Sequence, residues 1–84
     1  MKIVFKLFAS LTDYLPAATR TANQVELQAE PGTTISQLIE KFQLPEKLVH
    51  LVLVNGTYID PAKRSTHVLQ EGDALAIWPP IAGG

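Results

Sequence analysis

The sequence contains no cysteine among its 84 residues. Disulfide bridges, thiolate zinc sites and thiol catalysis are therefore excluded. It also lacks an excess of charge of either sign, with a formal net charge of -1 at pH 7, so we expect neither nucleic acid nor a membrane as a partner. No apolar run approaches the roughly 18 residues of a membrane-spanning helix, and Lys6 interrupts the apolar N-terminus in a way that a signal peptide does not tolerate. We expect a cytoplasmic protein.

Residues that usually carry catalysis or bind metals are few and scattered. His50 and His67 lie far apart, with no carboxylate at metal-ligand spacing beside them. The serines lack the glycine-flanked motif of a nucleophilic serine, and Lys63-Arg64 is interpreted as a solvated charge pair in a loop. We therefore expect no bound metal, no bound cofactor and no catalytic site made of side chains. A small enzyme that uses a histidine is the weakest hypothesis.

The apolar residues that are present indicate a single domain over residues 1–84, because 46% hydrophobic and 18% charged residues are ordinary for a small globular protein. Period-two alternation and turn signals predict the strands. Thr34 followed by Gln37 forms a capping-box pattern that predicts the start of a helix. The predicted elements are strands at 2–8, 24–29, 50–54, 57–59 and 74–78, a helix at 35–42, a possible edge strand at 66–69, and loops at 9–23 and 60–65.

This order of elements predicts an α+β fold, with a small mixed sheet of four to five strands and one main helix packed on one face. The apolar stripe of the helix must be buried against the inward-pointing strand residues. The strand period assigns to that inner face Ile3, Phe5, Leu7, Val25, Leu27, Val52, Val54, Leu75 and Ile77.

The opposite face of the predicted sheet receives apolar residues that no helix remains to cover. They are Val4, Phe8, Leu51, Leu53, Ala76 and Trp78. Exposed apolar patches of a few hundred Å² usually mark interaction sites, and aromatic residues dominate binding energies. We predict a partner-binding patch with Phe8 and Trp78 as its anchors. The alternatives are that loop 9–23 folds over this face, or that the register differs by one residue.

The last strand is followed by Pro79-Pro80, Ile81, Ala82, Gly83 and Gly84. The prolines fix φ and favour an extended exit from the sheet. Glycine has no Cβ, so a Gly-Gly end can enter a narrow channel in another protein. We predict that residues 79–84 form a projecting tail that carries Gly84.

Several of these residues resemble a known family. The stretch MKIVFKLF resembles the first strand of ubiquitin, and the order of elements resembles the β-grasp fold. The stretches VNG and EGDALAIWPPIAGG resemble the ends of bacterial sulfur carriers of the MoaD/ThiS family. The Gly-Asp turn, apolar strand, double proline and Gly-Gly end match in order and spacing, most closely to MoaD, the small subunit of molybdopterin synthase. The segment from Arg64 to His67 is not a hallmark of the best-known MoaD proteins.

The resemblance implies that the reactive group is the C-terminal carboxylate of Gly84, and that the tail of residues 79–84 enters the active site of a partner. A MoeB/ThiF-like adenylating enzyme would use ATP to adenylate Gly84, and a sulfur donor system would convert it to a thiocarboxylate. A MoaE-like large synthase subunit would then receive the sulfur for molybdenum cofactor biosynthesis. A ThiS-like carrier for thiamine thiazole or another sulfur pathway, a ubiquitin-like protein modifier and a non-catalytic β-grasp binding module are the alternatives that stay open.

Overall fold

The computed structural model describes residues 1–80, which form a five-stranded mixed sheet and an α-helix. The strands are β1 (Lys2–Leu7), β2 (Gln24–Gln28), β3 (Leu51–Val54), β4 (Thr57–Tyr58) and β5 (Ala74–Trp78), and the helix is α1 (Ile35–Lys41). The strand order is β2-β1-β5-β3-β4. β1 runs parallel to β5, and the other neighbouring pairs are antiparallel. The α+β architecture predicted from the sequence is confirmed.

Local sequence signals set the ends of these elements. The Thr34 hydroxyl accepts from the Gln37 backbone N–H at 3.2 Å, and the Gln37 side-chain oxygen accepts from the Thr34 N–H at 2.9 Å, so the predicted capping box starts α1. Asn55 and Gly56 both have positive φ, 51° and 82°. A two-residue turn of this kind matches the twist of the strands that it joins, and β4 therefore folds straight back onto β3.

The core lies between the sheet and α1. The Phe5 and Phe42 rings meet at 4.6 Å between centroids, which joins the middle of β1 to the end of the helix. Val25 and Leu27, on the outlying strand β2, are only partly buried against this core. The buried members of the cluster are Ile3, Phe5, Leu7, Leu11, Leu15, Ile35, Leu38, Leu44, Val52, Val54, Ile59, Leu69, Leu75 and Ile77.

Segment 9–23 is more ordered than the predicted polar loop. It forms two 3-10 helices, Ala9–Tyr14 and Ala17–Ala22. Leu11 and Leu15 are buried in the same cluster as the inner residues of β1. Leu11 and Leu15 are four residues apart, the spacing of one helix face, but the pattern ends at Pro16 and is too short to indicate a helix on its own.

Segment 60–65 also differs from its prediction, because Arg64 is not solvated. The residue is 9% exposed, and its guanidinium donates to the backbone carbonyls of Val49 at 3.4 Å and His50 at 3.1 Å. These two carbonyls immediately precede β3, so Arg64 fixes the start of that strand to the short 3-10 helix Pro61–Lys63. Further on, Val68 forms an isolated antiparallel bridge with Thr34 in place of an edge strand.

Candidate functional site

The face of the sheet opposite α1, which we call the outer face, is built by the register of the three central strands. Leu51 lies opposite Trp78, and Leu53 opposite Ala76, across β3 and β5. On the other side of β5, Lys6 of β1 is the register partner of Ala76. The register therefore brings side chains from three separate stretches of the sequence onto one surface.

The residues of the predicted patch occupy this face, with one difference in exposure. Val4, Phe8, Leu51, Leu53 and Trp78 are each partly exposed. Ala76, by contrast, is buried, with 9% of its surface exposed. It lies on the central strand β5, flanked by the longer side chains of both neighbouring strands, so a methyl group there forms the floor of the patch instead of its surface. The prediction that Ala76 is exposed was wrong.

Tyr58 is a member of this surface that the sequence prediction left out. It lies opposite Leu53 across the β3–β4 hairpin and is 54% exposed. The Asn55-Gly56 turn fixes a two-residue hairpin, and counting outward from such a turn pairs residue 53 with residue 58. The signal was therefore present in the sequence. We define the outer patch as Val4, Phe8, Leu51, Leu53, Tyr58 and Trp78.

The end of β5 is held by three contacts. The Phe8 and Trp78 rings stack at 4.3 Å between centroids with 3° between their planes. The Phe8 N–H donates to the Ile77 carbonyl at 3.2 Å, and the His50 N–H donates to the Trp78 carbonyl at 3.0 Å. Pro79 is half-buried and Pro80 is exposed. The strand is thus fixed as far as Trp78, and the residues of the predicted tail begin at this fixed point.

The remaining tail residues Ile81, Ala82, Gly83 and Gly84 lie outside the described residues. Their predicted roles, entry into a partner's active site and, for Gly84, the reactive carboxylate, remain predictions.

The start of β5 is fixed by a hydrogen-bonded cluster around Asp73. One Asp73 carboxylate oxygen accepts from the Asn55 side-chain amide at 2.8 Å, and the other accepts from the Gln70 N–H at 2.8 Å. The Asn55 side-chain oxygen in turn accepts from the Ala74 N–H at 2.9 Å. Gly72 supplies the positive φ of 83° that the turn requires. The Gly-Asp motif and the VNG motif therefore meet in one structural cluster that anchors the strand carrying the tail.

The β2 side of the outer face is polar and contrasts with the outer patch. Gln24, Glu26 and Gln28 alternate outward along this strand and are exposed. The Glu26 carboxylate forms an ion pair with the Lys2 ammonium at 3.2 Å. A solvated edge of this kind discourages pairing with other strands, so the apolar surface is confined to the part of the sheet that carries β1, β5, β3 and β4.

Within residues 1–80, no three histidine, aspartate or glutamate side chains come together in a way that could hold a metal ion. His50 is exposed and His67 is half-buried in a separate loop. No helix in the same stretch is long and apolar enough to cross a membrane. The described part of the chain therefore has a partly exposed apolar surface and an anchored strand end as its distinctive features.

A family model for the ThiS family matches residues 7–84. The chain belongs to the ThiS family. This match includes β5, the double proline and the Gly-Gly end. A search of curated protein sequences finds no match to the chain.

Solved structures with a similar fold include SAMP1 from Haloferax volcanii, at 21% identity and a TM-score of 0.68, with 100% of both chains covered. A putative molybdopterin converting factor subunit 1 from Pyrococcus furiosus has 20% identity and a TM-score of 0.69, over 96% of this chain and 99% of that one. A chain from the complex of subunits 1 and 2 of the molybdopterin-converting factor from Helicobacter pylori has 20% identity and a TM-score of 0.60, with 100% of both covered. The fold is the β-grasp fold of the ubiquitin-like sulfur carriers, as the sequence predicted.

Proposed function

We propose that this member of the ThiS family is a sulfur carrier whose Gly84 carboxylate is adenylated and then converted to a thiocarboxylate. The observation that supports this most is the family match over residues 7–84, which extends through the Gly-Gly end. The geometry of residues 1–80 agrees with it, because that end departs from Trp78, where the strand is held by ring stacking and two backbone hydrogen bonds.

The chemistry has two steps. A carboxylate is a poor electrophile, so an oxygen of the Gly84 carboxylate first attacks the α-phosphorus of ATP in a MoeB/ThiF-like enzyme, and pyrophosphate leaves. Hydrosulfide supplied by the donor system then attacks the carbonyl carbon of the acyl adenylate, so that a C–S bond forms and the sulfur loses its proton to solvent. AMP leaves with the electron pair of the broken C–O bond, and the thiocarboxylate remains on the carrier. ATP is consumed by the partner, and the carrier itself holds no cofactor.

The physical reason for the architecture is that the reacting carboxylate must enter the active site of another protein. Ordering a flexible chain costs about 1–2 kcal/mol per residue. A strand fixed as far as Trp78 and followed by two prolines reduces the number of residues that must be ordered on binding. Gly83 and Gly84 add no side chain to the channel that receives them.

For the pathway, we propose molybdopterin biosynthesis, with a MoaE-like large subunit as the acceptor of the sulfur. Two observations support this choice. The P. furiosus neighbour is described as a molybdopterin converting factor subunit, and the H. pylori neighbour was solved as a complex with subunit 2 of the same factor. The Trp-Pro-Pro end of this chain also resembles MoaD more than ThiS, whose tails usually lack the double proline.

Whole-protein mass spectrometry tests the carrier function. The chain is incubated with the adenylating enzyme of the same organism, ATP and a sulfur donor, and the expected product is heavier by about 16 Da, the difference between sulfur and oxygen. The matched control is the chain without Gly83 and Gly84. This control should gain no mass, yet it should melt at nearly the same temperature because the core lies within residues 1–80. The activity of the enzyme is checked in a parallel reaction with a known carrier. If the enzyme consumes ATP in that reaction but the intact chain keeps its original mass, the proposal is refuted.

A second arm tests the pathway. The thiocarboxylated chain is mixed with a MoaE-like subunit and a pterin precursor, and in parallel with a thiazole synthase. Transfer of sulfur to the pterin is the expected result. Transfer only in the thiazole reaction would leave the carrier chemistry in place and overturn the molybdopterin assignment.

A further inference from the structure

One charged side chain lies at the border between the polar and the apolar part of the outer face. Lys6 is on β1 between Val4 and Phe8, and it is the register partner of Ala76, the floor of the outer patch. It is only partly exposed. Its position therefore makes it part of the docking surface, unlike the exposed lysines on the helical side of the molecule.

Lys6 is also unpaired within the part of the chain that the structure describes. No carboxylate of residues 1–80 lies within 4.0 Å of its ammonium group. The nearest acid by register, Glu26, already forms an ion pair with Lys2 at 3.2 Å. The outer face therefore presents one uncompensated positive charge at the border of its apolar surface.

A partner that covers the outer patch must remove water from Lys6. Burying an ammonium group without a partner is costly, whereas a carboxylate placed against it offsets most of that cost. A basic or apolar surface would leave the charge unpaired. The surface consequently fits a partner with an apolar centre and an acidic side chain beside it.

The geometry points to a specific docking contact: the adenylating enzyme that receives the tail places an acidic side chain against Lys6 while its apolar surface covers the outer patch. This inference rests on the proposed function, because the tail departs from Trp78, which is itself a member of the outer patch and stacks on Phe8, so an enzyme that receives the tail binds beside this face. The ion pair at Lys6 would favour this enzyme over partners whose apolar surface lacks an acidic side chain. It would also fix the orientation of the chain on the enzyme.

Binding measurements on charge variants test this contact. The dissociation constant of the intact chain for the adenylating enzyme of the same organism is measured by calorimetry without ATP. Lys6→Gln should weaken binding up to about fivefold, as expected for loss of a partly exposed ion pair. Lys6→Glu should weaken it by more than about tenfold, because it places like charges together. Both effects should shrink when sodium chloride is raised from about 50 mM to about 500 mM.

The matched control is Lys47→Glu, which makes the same change in net charge at an exposed position in the 3-10 helix Glu46–Leu48. It should change the dissociation constant by less than about twofold. Equal weakening by Lys6→Glu and Lys47→Glu would overturn the inference, as would wild-type binding by both Lys6 variants. The inference also fails if sedimentation shows that Lys6→Glu abolishes only a self-association of this chain, because a second copy would then occupy the patch.

The thiocarboxylate assay separates this inference from the proposed function. At the enzyme concentration at which the wild-type chain gains about 16 Da, the Lys47→Glu control should gain the same mass, whereas Lys6→Glu should need a higher enzyme concentration to reach it. If the wild-type chain gains no mass, the proposed function fails whatever the binding data show. If the wild-type chain gains mass and the Lys6 variants bind as tightly as it does, only the contact at Lys6 is refuted.

Discussion

Both faces of the sheet carry large apolar side chains, but only one face is covered. On the inner face, Phe5 is fully buried and its ring packs on the ring of Phe42, the residue that directly follows α1. On the outer face, Phe8 and Trp78 stack on each other and remain partly exposed. The same residue types therefore stabilise the fold on one face and leave a partly exposed apolar surface on the other. Substitutions that affect stability and binding to different degrees can test this contrast.

The largest effect is expected from the pair Phe5→Ala and Phe8→Ala. Phe5→Ala removes a fully buried ring and should lower the free energy of unfolding by about 3–5 kcal/mol. Phe8→Ala removes a partly exposed ring and its stacking contact with Trp78, for a loss of about 1 kcal/mol. Urea unfolding of both variants measures the difference. Equal losses would mean that the outer face is part of the core.

Arg64→Met should have the next largest effect. It leaves the Val49 and His50 carbonyls without the guanidinium donors, and we expect a loss of about 1–3 kcal/mol in the free energy of unfolding. Lys63→Met, at the exposed neighbouring position, is the control and should change stability by less than about 0.5 kcal/mol. A neutral Arg64→Met would show that these hydrogen bonds do not hold the start of β3.

Thr34→Ala should lower the free energy of unfolding by about 1 kcal/mol, because it removes the side-chain acceptor of the capping box that starts the covering helix. Thr21→Ala, at an exposed position, serves as the control. Thermal unfolding followed by circular dichroism is sufficient to measure the difference. If the two variants melt together, the cap does not limit the stability of α1.

The smallest change in stability is expected for Tyr58→Ala, which should shift the free energy of unfolding by less than about 0.5 kcal/mol because its side chain is 54% exposed. Its binding effect should be larger, since aromatic residues at interfaces contribute most to affinity. Val68→Ala is the matched control, because Val68 is 49% exposed but pairs with Thr34 beside the helix, away from the outer face. Equal affinity of the two variants for the adenylating enzyme would remove Tyr58 from the docking surface.

Most of the fold was predictable because its signals are local. Thr34 and Gln37 are three positions apart, Asn55 and Gly56 are adjacent, and the strand period separates Phe5 from Phe8. The residues of the outer face were predicted from the same strand period. The burial of Ala76 was not predicted, because the exposure of a methyl group depends on the size of its neighbours on two other strands.

The features that escaped prediction depend on contacts between distant parts of the chain. Leu11 and Leu15 reach the core only because the chain that follows β1 forms a 3-10 helix, Ala9–Tyr14, that packs against it. Arg64 is buried because the carbonyls of Val49 and His50, about fifteen residues earlier, lie within reach of its guanidinium. No spacing rule relates these residues, so only the three-dimensional structure reveals them.

The central claim is that the inner face stabilises the fold whereas the outer patch binds the adenylating enzyme. Trp78 tests this claim most directly, because it belongs to both the last strand and the outer patch. The measurement is the KM for Trp78→Ala as the substrate in ATP–pyrophosphate exchange by the adenylating enzyme. We predict that KM rises about tenfold or more, while kcat at saturation stays within about twofold because the tail is unchanged. A KM equal to that of the wild-type chain, with Trp78→Ala folded, would contradict this claim.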